Sequence, residues 1–328
     1  MSKQRFKIAF IGSGLIAKAH VATLKKISDS LEITSCFNPK FKNYSSRQLS
    51  NYQNIFGKLY FDFQQWQNME SPDIVFVCTP PFARYEYEEA LIKKNISYFV
   101  EKPPLTTNQD ILIKCLKNNK NILVQIGYQW RFLKFNDRLV KLINDDEIGY
   151  IHAIRYSTPP FQEWKLDYKL SGGNSYEKAM HFIDYCEYIL KRSVEPLSFV
   201  SNNSQINKVI EPNCNLPDTE TLVLKSGNCI GVISTVSYSQ GNDLLEINFV
   251  GKNNIYRVST KVDGTTLLEI INSNKILKSY SDISSELYKR EIKDFIKRLK
   301  SNKPYNNDDY YKSIETAKEI LMTIKNGK

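Results

Sequence analysis

Three polar residues crowd one short segment, SYEKAMHFIDY (175–185): Glu177, His181 and Asp184. Their spacing of four and three is that of one helix face, so each lies about a turn from the next. Ala179, Phe182, Cys186 and Ile189 recur at the same spacing on the adjoining face and form an apolar stripe. A neutral imidazole beside a carboxylate can act as a general base, with the carboxylate fixing its tautomer. The same trio could ligate a metal or face solvent. Only three histidines occur, and His20 and His152 fall in a different helix and in a strand, which argues against a metal. The preceding Gly172-Gly173 pair marks a close backbone approach.

A second constellation lies near the start. The apolar run FKIAFIG (6–12) enters Gly12-Ser13-Gly14-Leu15-Ile16-Ala17. This is the G-x-G-x-x-A pattern, in which glycines let the backbone turn and approach a pyrophosphate and a helix N-terminus meets the charge. Asn38 ends the next β-rich run, LEITSCF (31–37), about 20 residues on, where an acidic residue usually holds the ribose. Asn38 carries no charge to repel a 2′-phosphate, and Lys40 and Lys42 are close by. Both NAD and NADP fit, with the balance of charge favouring NADP.

These motifs need a scaffold. DIVFVCTPP (73–81) reads as a strand buried on both faces, ending at Thr79-Pro80-Pro81. A helix through 85–94, a strand through SYFVEKPP (97–104), a helix over 108–119 and the strand ILVQIGY (122–128) follow. The alternation predicts a doubly wound parallel sheet of the Rossmann type over 1–125. The remainder, 126–328, reads differently. Hairpins around Ser226-Gly227-Asn228 and Gly251–Asn254, continued by VDGTTLLEIINSNKILKSY, predict an antiparallel meander.

Length and composition fit a soluble globular protein of two domains or one large one: 41% hydrophobic and 24% charged residues in 328. The net charge of +10 is scattered, with no basic run, so neither nucleic acid nor membrane is the expected partner. The six cysteines form no CxxC pair, as in a reducing compartment. The first 19 residues imitate a secretory signal, but the strand–turn–helix reading accounts for them. No apolar run spans a bilayer. A cytoplasmic location is expected.

Glu101-Lys102-Pro103, following Phe99-Val100 after the fifth strand, is where the chain resembles the glucose–fructose oxidoreductase and inositol dehydrogenase (Gfo/Idh/MocA) family. The resemblance runs through Gly12–Ala17, Cys78–Pro81, Gly127-Tyr128-Gln129-Trp130-Arg131-Phe132, Gly172-Gly173…His181-Phe182-Ile183-Asp184, and Leu287-Tyr288…Glu291-Ile292…Phe295 with Lys303-Pro304. It implies a C-terminal α+β domain with a large open antiparallel sheet, in agreement with the meander, and a nicotinamide-dependent dehydrogenase or reductase acting on a hydroxyl or keto carbon of a sugar, cyclitol or nucleotide-sugar. The alternative on the same fold is a non-catalytic, cofactor-binding sensor, which would usually lack the lysine or the histidine.

The resemblance implies Lys102 and His181 as catalytic residues, with Glu177 as a third; the scarcity of histidine leaves no metal expected. Where the family commonly has Asp and Gly, this chain has Glu177 and Ala179. Cofactor contacts are expected from Gly12, Ser13, Gly14, Leu15, Ile16, Asn38, Lys40, Thr79, Pro80, Glu101 and Lys102. Arg131, Lys102, His181 and Asp184 are expected at the carbohydrate substrate. The aromatic and polar loop 158–173 should add Trp164 and Tyr168, since aromatic faces suit sugar rings. A homodimer or homotetramer through the open sheet is expected.

Overall fold

The protein is described from a computed structural model, over residues 5–28, 30–104, 108–241, 243–301 and 303–327. It divides into two compact units, Met1–Gly127 with Tyr288–Lys312, and Tyr128–Leu287 with Ser313–Lys328. Where the sequence suggests contiguous domains 1–125 and 126–328, the observed first unit is discontinuous. The physical reason is its core, which takes in Ile292, Phe295, Ile296 and Tyr305 from the late segment.

The first unit is built on β1 (Phe6–Ile11), β2 (Leu31–Phe37), β3 (Lys58–Tyr60), β4 (Ile74–Val77), β5 (Ser97–Val100) and β6 (Val124–Ile126). All pair in parallel, in the order β3-β2-β1-β4-β5-β6. Strands buried on both faces carry apolar residues at every position, and β4 and β5 are buried throughout. Phe10, Phe76 and Phe99 lie in register across β1, β4 and β5, with ring centroids 5.2 and 5.1 Å apart. Phe295 closes this ladder edge-on at 5.8 Å from Phe99. The order reverses between β1 and β4, and ligands of such sheets bind outside the carboxyl ends at that switch point.

The second unit contains β7 (Ile148–Tyr156), β8 (Glu195–Asn202), β9 (Thr219–Ser226), β10 (Cys229–Val236), β11 (Leu244–Gly251), β12 (Ile255–Thr260), β13 (Thr265–Asn272) and β14 (Lys275–Ile283). Their order is β14-β13-β12-β11-β7-β10-β9-β8. The expected antiparallel sheet is corrected at one place: β7 and β10 run parallel, Ile230 facing Tyr150 and Val236 facing Tyr156. β7 reaches its neighbour through helices and the antiparallel β8–β9 pair rather than a tight turn, and such a crossover returns the chain in the same direction. β9 and β10 alternate buried with more exposed positions, which places one face on the core.

Two further differences bear on the site. The 158–173 stretch holds two short helices, Glu163–Leu166 and Tyr168–Ser171. The helix read through 175–189 is broken into Asn174–Glu177 and Met180–Leu190. At the break Lys178 N and Ala179 N both donate to Asn174 O, at 2.8 and 3.2 Å, so the ladder changes step before Ile183 N resumes it on Ala179 O.

Candidate active site

The glycine turn sits at the switch point. Gly12 follows β1 with φ +95°, and a Cβ there would lie 2.7 Å from Cys78 O, so only glycine lets the two chain ends approach. Gly14 caps the helix Leu15–Ile27 and has open space around it, with nothing within 4 Å of where a Cβ would stand. Ser13 is buried, Leu15 is 67% exposed, and Ile16 is half-buried. Thr79 Oγ1, beside Gly12, is buried without a hydrogen-bond partner among the described residues. A glycine cradle, a helix N-terminus and an unsatisfied hydroxyl at one sheet edge fit a dinucleotide pyrophosphate. Pro80 is half-buried and precedes a single turn, Pro81–Ala83.

Asn38 is more constrained than a turn residue. Its Nδ2 donates to Ser13 Oγ at 2.6 Å, and its Oδ1 accepts from Lys40 N at 3.0 Å. The residue following β2 is thereby fastened to the glycine turn. Lys40 and Lys42 are exposed on the turn Pro39–Asn43. Cys36 and Cys78 lie under this edge, and burial pushes both thiols well above the usual cysteine range, leaving poor nucleophiles.

Glu101 and Lys102 follow β5, adjacent to β4 in the sheet, and both are half-buried. The Lys102–Pro103 peptide is cis. Glu101 Oε1 meets His20 Nε2 at 2.6 Å, and His20 is fully buried among Phe76, Phe99 and Tyr288. A Cβ on Gly127 would stand 3.1 Å from the same carboxylate, so this glycine leaves room for Glu101. Burial, with Glu101 and Glu291 nearby, pushes the Tyr288 phenol up and keeps it neutral. The sequence suggests a cofactor contact for Glu101; the structure gives its carboxylate a partner in the helix behind the glycine turn.

In the second unit His181 stands at the start of the helix Met180–Leu190, half-buried, with Tyr128 edge-on at 6.2 Å. Glu177 ends the preceding short helix and pairs with Lys165 at 2.6 Å. The break at residues 178–179 separates two residues that the sequence pattern places on one continuous helix face. Ser175 N, at the head of that short helix, donates to buried Glu220 Oε2 at 2.6 Å. Tyr168 packs beneath Gly173, where a Cβ would stand 2.7 Å from its ring, and Lys165 lies over the Trp164 ring at 5.4 Å. Trp164 is half-buried.

Asp184 and Arg131 meet each other. Arg131 Nη2 donates to Asp184 Oδ1 at 2.6 Å, and its Nε spans both oxygens at 3.2 and 3.0 Å. Asp184 is almost fully buried, while Arg131 keeps 19% of its side chain exposed between Tyr128 and Tyr188. No group of three or more His, Cys, Asp or Glu able to hold a metal occurs among the described residues. Nor is any helix among them long and apolar enough to cross a membrane.

Sequence reasoning passes over Arg84. It is fully buried, ion-paired to Glu88, and bonded to the main chain around Lys102. The available signal is an Arg–Glu pair at i,i+4 with the cation at a helix start, where the dipole disfavours it.

Known proteins share this architecture. The chain is 23% identical over 305 residues to the inositol 2-dehydrogenase of Salmonella typhimurium, covering 91% of this chain and 87% of the relative. Of the solved structures, GenD2 from gentamicin A biosynthesis, in complex with NAD, superposes with TM-score 0.78 at 14% identity, covering 99% of this chain and 95% of that one. KijD10, a 3-ketoreductase from Actinomadura kijaniata in complex with NADP and TDP-benzene, does so with TM-score 0.80 at 13% identity, covering 98% of each. Residues 6–128 match the oxidoreductase family with NAD-binding Rossmann fold, and residues 140–327 match that family's C-terminal alpha/beta domain. The protein belongs to the Gfo/Idh/MocA oxidoreductase family.

Proposed function

We propose that this oxidoreductase interconverts a secondary alcohol and a ketone on a sugar, cyclitol or nucleotide-sugar, with Lys102 and His181 as catalytic residues. One observation carries the reading. Gly12, Gly14 and Thr79 form a cradle at the β1/β4 switch point, and Lys102 sits at the end of the adjacent β5. A bound nicotinamide supplies the hydride acceptor or donor, so the chain's own task is proton handling and placement. The Lys102 ammonium would donate a hydrogen bond to the reacting oxygen, and a cation there favours the developing alkoxide. The His181 imidazole would take or return the hydroxyl proton.

Glu177, tied to Lys165, would act by setting the charge of its surroundings rather than by direct proton transfer. Arg131, Trp164 and Tyr168 are the proposed substrate contacts, with Asp184 orienting the Arg131 guanidinium. Asn38, uncharged and followed by Lys40 and Lys42, supports use of NADP over NAD. A homodimer or homotetramer through the large sheet is supported by Tyr150 and Ile230, register partners each 39% exposed. Free cysteines, four of them buried, suit the cytoplasm.

The test is a titration of the purified protein with NAD(H) and NADP(H), followed by a screen of inositols, sugars and nucleotide-sugars for nicotinamide absorbance change. Failure of both cofactors to bind sinks the reading. Full activity after Lys102→Met or His181→Asn removes the residue concerned from the chemistry.

A further inference from the structure

Residues 101–104 lie outside any strand or helix, and the last ladder bond on this side of β5 runs from Glu101 N to Val77 O at 3.1 Å. Beyond it, one buried side chain grips the main chain around Lys102. Arg84 Nη1 donates to Glu101 O at 2.7 Å, and Arg84 Nη2 donates to Pro103 O at 2.6 Å. These are the carbonyls on either side of Lys102, gripped by the two arms of one planar group. The third nitrogen, Nε, stands 2.9 Å from Glu88 Oε1, and neither side chain has any exposed surface. Glu88 is itself fixed: its Oε2 accepts from Tyr98 OH at 3.1 Å and from Tyr310 OH at 3.2 Å, and Gln109 Nε2 donates to Tyr310 OH at 2.8 Å.

Stability alone does not call for this arrangement. A buried ion pair is often matched or bettered by apolar residues of the same volume, because desolvation offsets the attraction. A cation at the N-cap of the helix Tyr85–Lys93 also opposes the helix dipole. What the guanidinium does that an apolar group cannot is fix two carbonyls at a set separation and in one plane. Lysine, a point charge on a flexible stem, cannot reproduce that fork.

We propose that Arg84 is a positioning residue for Lys102, its guanidinium clamping the main chain on both sides so that the ammonium is presented in one place. The inference rests on the reading of Lys102 as the group that meets the reacting oxygen. A misplacement of about 1 Å at such a group costs on the order of 10²-fold in rate.

The experiment compares full-length wild type, Arg84→Lys, the double variant Arg84→Met/Glu88→Gln, and Lys102→Met. The double variant is included because Arg84→Met alone strands a buried carboxylate and threatens the fold. Three quantities are read: kcat and KM with the best polyol from the substrate screen, NADPH affinity by fluorescence, and amide hydrogen exchange at residues 101 and 102. Arg84→Lys and the double variant should lose roughly 10²-fold in kcat, with KM and NADPH affinity within about threefold of wild type. Exchange at 101–102 should rise by about 10-fold or more while amides of β1 stay protected. A purely structural role would lower all activities in proportion to the folded fraction and leave local exchange coupled to global unfolding. Unchanged kcat in both Arg84 variants, with Lys102→Met inactive, overturns the inference and leaves the catalytic reading intact. Full activity in Lys102→Met overturns the catalytic reading instead; the clamp then stands or falls on the exchange at 101–102.

Discussion

The Asp184 carboxylate is held by the Arg131 guanidinium through both oxygens, the shortest contact being 2.6 Å, with the acid buried and the base part-exposed. The two ends of the pair therefore carry unequal risk. Arg131→Met takes the guanidinium from a buried carboxylate and should cost about 3–5 kcal/mol at pH 7, whereas Asp184→Asn leaves a guanidinium that solvent reaches and should cost about 1–2 kcal/mol. Urea unfolding of both variants at pH 7 checks the asymmetry; equal losses in the two variants would refute it.

Gly12 and Gly14 should part company on substitution. Gly12→Ala drives a Cβ to 2.7 Å from Cys78 O at a positive φ, so both thermal stability and cofactor binding should fall. Gly14→Ala meets nothing within 4 Å, so the melting temperature should hold. NADPH affinity should still drop by about 10-fold or more in Gly14→Ala, because the added methyl occupies the approach of a pyrophosphate. Calorimetry beside fluorescence titration separates the two effects.

Asn38→Asp should reverse cofactor preference. The new carboxylate can keep the contact to Lys40 N and accept from the Ser13 hydroxyl, so the turn survives. A unit charge about 4 Å from a 2′-phosphate costs between about 1 and 4 kcal/mol, a loss of roughly 5- to 1000-fold for NADPH. NADH should bind as well as before or better. Parallel titrations with the two reduced cofactors give the ratio directly, and an unchanged ratio counts against Asn38 as a ribose contact.

Asp146 sets an acid limit on the second unit. Burial raises its pKa, but that is outweighed by hydrogen bonds from Asn253 N, Asn254 N and Tyr256 OH, at 2.9, 3.0 and 3.1 Å, and the net shift is downward. A depressed folded pKa gives stability that is complete above the unfolded value near 4 and is lost as pH falls through the folded one. Asp146→Asn should cost about 2–3 kcal/mol at neutral pH and flatten the decline below about pH 4. Chemical denaturation across that range is the measurement.

Much of the fold is legible locally. The glycine turn, the strand–helix alternation and the hairpins at 226–229 and 251–255 each carry their signal in a few adjacent residues. What escapes a sequence reading is long-range or weakly patterned. β3 is three residues long, and β8 is an edge strand without alternation, exposed at most positions. The parallel β7–β10 pairing joins residues 80 apart, as Ile230 with Tyr150, and leaves no mark on either strand. The same holds for the site. Glu177, His181 and Lys102 stand out by type and position, but their surroundings do not. Glu101 is met by Arg84 from 17 residues away and by His20 from 81, and only the sheet brings them together. The short helix before Met180 is anchored at its head by Glu220, 45 residues beyond Ser175, a contact that the helix pattern does not record.

The discontinuous first unit has a consequence for how the protein is made. Phe10, Phe76 and Phe99, the residues of the aromatic ladder, are all translated early, yet their cover, Phe295, emerges only after the whole eight-stranded sheet has been translated. A nucleotide-binding unit that forms in that interval would present aromatic surface without its cover, the state in which chaperones are recruited and chains associate. A fragment ending near residue 127 should therefore be sticky rather than independently soluble, and adding residues 288–312 in trans should quiet it.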